Sequence, residues 1–294
     1  MTEDLTLGVV GATGRLGARL ARRLRDETGA RLVLTARDPM RIDIDPDDPR
    51  IALRALDLDA PEAAARSLAE CDAVVFCPIL TQSVATAEAL RRIAPGVRIV
   101  AVSSNNVGLD RASELYQALD RAEDRIRALP DPWAIVRPTM IYGLPEDGNL
   151  GRLLAVAMKS PVLPLPGDGR ALQQPVHVHD LAGLAMMLAL GAGGDRAEVT
   201  AAGAEVLSLR ALYRKVCRAA GRGRFVLPVP MAMVARAVAR AERDGRPVPM
   251  TTVQLRRAGI DKLPTWPLLP GWTPEVTLDA GLAAIAQELR RRRG

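Results

Sequence analysis

Short apolar runs recur through the first half of the chain, at Leu5–Val10, Arg31–Leu34, Ala73–Phe76, Arg98–Val102 and Ala134–Val136, with residues 51–56 as a further one. Stretches with apolar residues at helical spacing separate most of them: Arg15–Glu27, Pro61–Leu68, Ser83–Ile93 and Ala112–Leu129. Strand–helix alternation of this kind predicts βαβ units and a parallel sheet. The runs are apolar almost without a break, as strands covered on both faces must be. After Pro138 the rhythm stops. Residues 144–175 are rich in Pro and Gly and read as a loop-heavy segment. Pro175–Val178 reads as a short strand that leads into a helix beginning at Asp180, whose carboxylate suits an N-cap. Residues 207–220, 231–243 and 276–292 read as helices. The pattern predicts a first lobe over residues 1–145, to which 176–202 return. A smaller second lobe is built from 146–175 and 203–294.

The junction between the first strand and the first helix reads Gly11-Ala12-Thr13-Gly14-Arg15-Leu16-Gly17. Glycines at this spacing carry a physical demand. One permits the tight turn, one lets the backbone approach a pyrophosphate, and the last allows the helix to pack closely on the strand. The helix start offers free N–H groups and the positive end of its dipole to an anion. The fold class expected is therefore α/β, a Rossmann-type doubly wound parallel sheet that binds a dinucleotide, with a smaller C-terminal substrate lobe. At the end of the second strand the chain reads Leu34-Thr35-Ala36-Arg37-Asp38. An NAD site usually has an acidic residue there for the ribose 2′-hydroxyl. Arg37 instead suits a 2′-phosphate, which a guanidinium grips with two hydrogen bonds. Arg15 adds a second positive charge. NADP(H) is thus the expected cofactor. NAD(H), with Asp38 turned in to the ribose, is the alternative.

Composition narrows the class. The chain has 294 residues with 48% hydrophobic and 25% charged, as in an ordinary globular protein. It carries 40 basic and 34 acidic residues, a net charge of +6. Only Lys159, Lys215 and Lys262 are lysine; the other basic residues are Arg. These are spread along the chain, and few aromatics are available to stack on bases, so nucleic acid is not expected as a partner. The C-terminal run Arg290–Arg293 reads as a solvated helix end. Cys71, Cys77 and Cys217 have no CxxC spacing, which argues against a disulfide framework or a zinc site. The acidic start, Met-Thr-Glu-Asp, lacks a signal-peptide layout, and the apolar run Leu181–Gly194 is shorter than the roughly 20 residues a spanning helix needs. No membrane span and a cytoplasmic location are expected. His177 and His179 alternate along the short strand and would share a face. With no third ligand in sight, no metal is expected.

Several of these motifs together resemble the short-chain dehydrogenase/reductase superfamily. They are the glycine turn, Asp57-Leu58-Asp59 after the third strand, and Val102-Ser103-Ser104 after the fifth. Arg137-Pro138-Thr139-Met140-Ile141-Tyr142-Gly143 and Pro175-Val176-His177-Val178-His179-Asp180 are similar to its extended and atypical branches, the NAD-dependent epimerase/dehydratase group. That group includes the nucleotide-binding accessory subunit of respiratory complex I. The resemblance covers about residues 1–200. It implies that Asp57 and Leu58 lie by the adenine, and Cys77 and Pro78 by the ribose. It also implies Ser103 or Ser104 near the nicotinamide, flanked by Pro138, Thr139 and Met140. Residues 144–175 and those around His177 would face a small-molecule substrate. Without the resemblance, Asp57 reads equally as a turn cap, and Ser103 and Ser104 as local backbone partners.

The family's chemistry usually uses a Tyr with a Lys four residues later, the ammonium making the phenol a better acid and base. No such pair exists here. Four residues after Tyr116, Tyr142 and Tyr213 stand Asp120, Glu146 and Cys217. Tyr116 lies 21 residues before Arg137, near the family position, but Asp120 opposes its use as a base. A shift of one residue would put Leu115 and Leu119 there instead. Glu123 matches a family acidic position, or pairs with Arg127 at helical spacing. Two functions follow. One is an NADP(H)-dependent reductase or epimerase-like enzyme acting on a carbonyl or hydroxyl, with Ser103, Ser104, Tyr116 and His177 as candidate catalytic residues. The other is a non-catalytic dinucleotide-binding accessory or redox-sensing protein with a protein partner.

Overall fold

The computed structural model describes residues 3–292 except 222, 247–251, 253, 254 and 256. Arg293 of the C-terminal arginine run lies outside them. The chain divides into two compact units. Unit 1 comprises residues 1–138, 178–201 and 264–272, and unit 2 comprises 139–177, 202–263 and 273–294.

Unit 1 is built on seven parallel strands. Numbered along the chain, these are β1 (Thr6–Val10), β2 (Arg31–Ala36), β3 (Ile51–Ala55), β4 (Ala73–Phe76), β5 (Arg98–Val102), β6 (Trp133–Pro138) and β11 (Arg196–Ala201). Their order is β11-β6-β5-β4-β1-β2-β3, with the chain starting near the middle and winding outward to both sides. Leu7 pairs with Leu32 on one side and Ala73 on the other, which fixes the register. The central strands are buried almost throughout, because helices cover both faces. The helices are α1 (Arg15–Glu27), α2 (Pro61–Arg66), α3 (Leu80–Ile93), α4 (Glu114–Arg127) and α6 (Val178–Ala189). α1 packs on α6, while α2, α3 and α4 pack in series over a core that contains Phe76, Leu80, Leu90, Leu119 and Ile135. The α/β fold with a Rossmann-like parallel sheet is as the alternation predicts.

Two local readings need correction here. The helix after β10 (Val176–His177) begins at Val178, so Asp180 sits within its first turn, 2% exposed, and is not its cap. The two histidines therefore do not alternate along one strand. His177 ends the strand and His179 is helical. The segment 264–272 also joins unit 1, which no local pattern announces: Thr200 N–H donates to Pro267 O at 2.9 Å, and Trp266 N–H to Thr200 Oγ1 at 3.0 Å.

Among the described residues, unit 2 has short paired strands and four long helices. β7 (Ile141–Tyr142) pairs with β10, β8 (Val162–Pro166) with β13 (Phe225–Val229), and β9 (Leu172–Gln173) with β12 (Leu207–Ser208). The helices are α5 (Leu150–Ala157), α7 (Leu209–Ala220), α8 (Met231–Arg243) and α9 (Leu278–Arg291). Ser208 and Thr277 cap α7 and α9 with their hydroxyls. The core gathers Leu154, Leu212, Val216, Leu282 and Ile285. Residues 144–175 are thus not simply loops. Leu150, Leu153, Leu154 and Ala157 recur at helical spacing between the glycines and prolines. β8 tolerates Pro164 and Pro166 because it has a partner on one side only. Among the described residues no helix is long and apolar enough to cross a membrane.

Candidate functional site

The carboxyl ends of β1, β2, β3 and β4 open onto one cleft of about 780 Å³ within unit 1. Its floor is the glycine turn. Gly11 adopts φ +79°, a left-handed conformation that side-chain-bearing residues avoid. The N–H groups of Gly11 and Ala12 both donate to Thr35 O at 2.9 Å, which locks the turn to β2. Gly17 has no room for a side chain: a Cβ there would sit 2.2 Å from Gly11 O. Gly14 is the N-cap of α1, and no side chain caps that helix. The first N–H groups of α1 thus have neither an intrahelical partner nor a side-chain one, and they face a concave space. That donor set fits a pyrophosphate.

The rest of the lining comes from the ends of the neighbouring strands. Thr13 and Arg15 of the turn are exposed at the rim. Arg37 follows β2, exposed, with no hydrogen bond or ion pair among the described residues. Its neighbour Asp38 does not line the cleft; its Oδ1 accepts from Met40 N–H at 3.2 Å and caps a single 3₁₀ turn. Asp57 and Leu58 line the cleft after β3, and Asp57 Oδ1 also accepts from Asp59 N–H at 3.0 Å. Cys77 and Pro78 line it after β4. Burial pushes the Cys77 thiol up to about 12, so it is a neutral lining group and not a thiolate nucleophile.

The structure thus brings Gly11, Thr13, Gly14, Arg15, Leu16, Gly17, Arg37, Asp57, Leu58, Cys77 and Pro78 together. It adds Thr35, Asp59, Thr81 and Gln82, which sequence reasoning missed. Thr35 and Asp59 were readable in principle, since each lies at or just past the end of a strand in a sheet whose carboxyl ends all face one edge.

The candidate catalytic residues lie elsewhere. In unit 1 the ends of β5 and β6 carry a buried polar cluster. Glu123 of α4 is fully buried. It accepts from Ser103 Oγ at 2.5 Å, from Arg137 Nε at 2.9 Å and from Arg127 at 3.0 Å. The Arg137 guanidinium lies over the Trp266 ring, 3.6 Å from its centroid. The Ser103 hydroxyl is therefore spent on a carboxylate. Ser104 Oγ accepts from Asn106 N–H at 3.2 Å. Tyr116 is 8% exposed in the core, and its hydroxyl accepts from Asn106 Nδ2 at 3.1 Å. None of the three lines the glycine-turn cleft, and neither does Pro138.

Thr139, Met140 and His177 belong to unit 2. Thr139 Oγ1 donates to Gln174 O at 2.5 Å. His177 meets the Tyr142 ring edge-on, centroids 5.1 Å apart. His179 is in unit 1, with Nε2 3.3 Å from Arg23. Among the described residues no three His, Cys, Asp or Glu side chains are grouped to hold a metal ion.

Comparisons with known proteins agree with this geometry. Residues 11–153 match the NAD(P)H-binding family. A ceramide reductase from Caulobacter vibrioides is 32% identical over 192 residues, 60% of this chain. The aligned part spans 58% of that relative, so a large part of its length has no counterpart in the match. A UDP-glucuronic acid 4-epimerase from Bacillus cereus, solved with UDP-glucuronic acid and NAD, superposes with a TM-score of 0.72 at 16% identity. The superposition covers 98% of this chain and 100% of that one. A dTDP-glucose 4,6-dehydratase from Streptomyces venezuelae, solved with NAD, gives a TM-score of 0.69 at 21% identity, covering 99% and 98%. At these identities the solved structures share the fold. The expected resemblance to the epimerase/dehydratase group is met at the level of the fold, and residues 11–153 carry the NAD(P)H-binding match.

Proposed function

We propose that this chain, whose residues 11–153 match the NAD(P)H-binding family, is an NADP(H)-dependent oxidoreductase acting on a small carbonyl or hydroxyl substrate. The observation that carries the cofactor choice is the pair Arg37 and Asp38. Arg37 lines the cleft with its guanidinium unengaged, while the carboxylate that would favour a ribose 2′-hydroxyl is turned to cap the Pro39–Arg41 turn. A guanidinium without a carboxylate partner suits a 2′-phosphate dianion, and Arg15 at the rim adds to the positive field. The glycine turn and the α1 N-terminus would hold the pyrophosphate. Asp57, Leu58, Cys77 and Pro78 would border the adenine and its ribose.

When bound, the nicotinamide supplies or accepts hydride. The chain must orient the substrate and manage one proton. Ser104, Tyr116 and His177 are the candidates that keep a hydrogen-bonding group outside the Glu123 cluster. Ser103 acts through its bond to Glu123 as a positioning residue. The relative named as a ceramide reductase supports reduction as the reaction type. A second reading, a dinucleotide-binding protein without turnover, is favoured by one observation: Ser103 is tied to Glu123 and Tyr116 is packed into the core.

Side-by-side titration with NADPH and NADH tests the cofactor assignment. Wild type should prefer NADPH, and Arg37→Ala should weaken NADPH binding at least tenfold while leaving NADH nearly unchanged. Equal losses would sink it. Oxidation of bound NADPH with a panel of carbonyl compounds separates the two readings. Turnover supports the oxidoreductase; tight binding with no turnover supports the binding protein.

A further inference from the structure

The basic excess of the chain is concentrated in one part of unit 2. Residues 209–246, which form α7, β13 and α8, hold ten basic residues and two acidic ones, a larger net charge than the +6 of the whole chain. Arg214 and Arg218 stand one turn apart on α7, both exposed. With Arg224 and Phe225 they line an open hollow of about 600 Å³ that has no acidic residue in its lining. Arg224 is held in place there, its guanidinium donating to Ala157 O at 2.6 Å and to Met158 O at 3.2 Å. Arg236, Arg240 and Arg243 form a second basic row on the exposed side of α8, a helix whose one buried residue is Val238. Among the described residues Arg214, Arg218, Arg236 and Arg240 have no hydrogen bond and no ion pair. Like charges one turn apart on a helix repel, and an external anion relieves them.

The hollow borders an apolar face. β8 and β13 pair in parallel, with Phe225 beside Val162 and Leu227 beside Pro164. Strand alternation sends Leu163, Leu165 and Val226 toward the core of unit 2 and these four outward. Phe225 is 67% exposed and Leu227 54%, and Met233 in the first turn of α8 is 60% exposed. Large apolar side chains that stand out together mark a surface that meets something. We propose that this face of unit 2 docks the protein on an anionic phospholipid surface. Phe225 and Leu227 enter the boundary between headgroups and acyl chains, and the arginines beside them hold lipid phosphates. Charge complementarity carries the choice. A bilayer offers anions and apolar material side by side, and protruding side chains enter it without a fitted hollow. A second copy docked face to face would set arginine rows against each other. Nucleic acid would find one aromatic ring to stack on, and aliphatic side chains against its phosphates. Such docking needs no spanning helix and is independent of the cofactor site in unit 1.

The test is sedimentation of the full chain with two kinds of vesicle, phosphatidylcholine alone and equal parts phosphatidylcholine and phosphatidylglycerol. Wild type should bind the mixed vesicles at least tenfold more tightly, and added salt should weaken that binding. Phe225→Ser with Leu227→Ser keeps every charge, and Arg214→Gln with Arg218→Gln keeps the apolar face. Each pair should weaken binding to the mixed vesicles tenfold or more. All four side chains are exposed, so urea unfolding midpoints should match wild type. Arg66→Gln with Arg121→Gln removes the same charge from exposed positions of unit 1 and should leave binding within twofold of wild type. Wild type that binds both vesicles equally or neither, either unit 2 pair that binds like wild type, or a unit 1 pair that loses as much overturns the proposal. So does duplex DNA or polyglutamate bound as tightly as the mixed vesicles by wild type and by the serine pair alike, which would assign the face to polyanions at large.

Discussion

Glu123 shows how a single residue can be legible in type and not in role. Its spacing from Arg127 was readable as a helix-surface pair, and that contact exists at 3.0 Å. What spacing could not show is that Glu123 is fully buried and also holds Arg137 from β6 and Ser103 from the end of β5. Those partners are 14 and 20 residues away in sequence and meet only through the sheet. Removing one partner of a buried ion pair leaves the other charge uncompensated, at a cost of roughly 3–5 kcal/mol. Glu123→Gln keeps the volume and deletes the charge. It should lower stability by about 3 kcal/mol in urea unfolding, since Arg137 is itself nearly buried. NADPH affinity should stay within a few-fold of wild type, because Glu123 does not line the cleft. A large loss of NADPH binding with little loss of stability would mean that the cluster acts on the cofactor directly.

At the scale of elements, the strands of unit 1 were readable because each is an uninterrupted apolar run, and α1 because its apolar face is strongly segregated from its arginines. The elements of unit 2 were harder. A two-residue strand such as β9 or β12 carries no period, and α5 is only eight residues long between glycine- and proline-rich flanks. The strand-to-helix junction at Gly11–Gly17 is the element on which the site depends, and it yields a direct prediction. Gly17→Ala places a methyl group 2.2 Å from Gly11 O, a contact that backbone must move to relieve. Overpacking of this kind costs about 1–3 kcal/mol. The shift also moves α1's free N–H groups. Stability should fall by about 2 kcal/mol and NADPH affinity by at least tenfold, measured by urea unfolding and by titration on one preparation. Unchanged affinity in a destabilised variant would show that the α1 N-terminus does not hold the cofactor.

For the molecule as a whole, the cleft assembles from four strand ends separated by up to about 65 residues of sequence, yet its membership was largely readable. A parallel sheet sends every carboxyl end to one edge, so order along the chain converts into proximity. Nothing comparable organises residues 264–272, whose place in unit 1 rests on a few hydrogen bonds to Thr200 and Asn105. The net charge of +6 also resolves into something local. Many arginines are already matched on the surface, as in Arg125–Glu88 and Arg92–Glu62, whereas Arg37 is not. That contrast gives a prediction about the whole chain. A ligand bound only by the folded state adds RT ln(1 + [L]/Kd) to stability, about 2.7 kcal/mol at a hundredfold excess over Kd. At one fixed concentration NADPH should therefore raise the melting temperature more than NADH does. The difference should shrink with added salt, since Arg37 and Arg15 are exposed and their field is screened within about 10 Å at 0.1 M. In Arg37→Ala the difference should vanish. Hydrogen exchange should show the added protection at residues 11–17 and 35–37, because those amides form the floor and wall of the cleft. Equal stabilisation by the two nucleotides at low salt would move the specificity away from Arg37 and leave the glycine turn as a site for either.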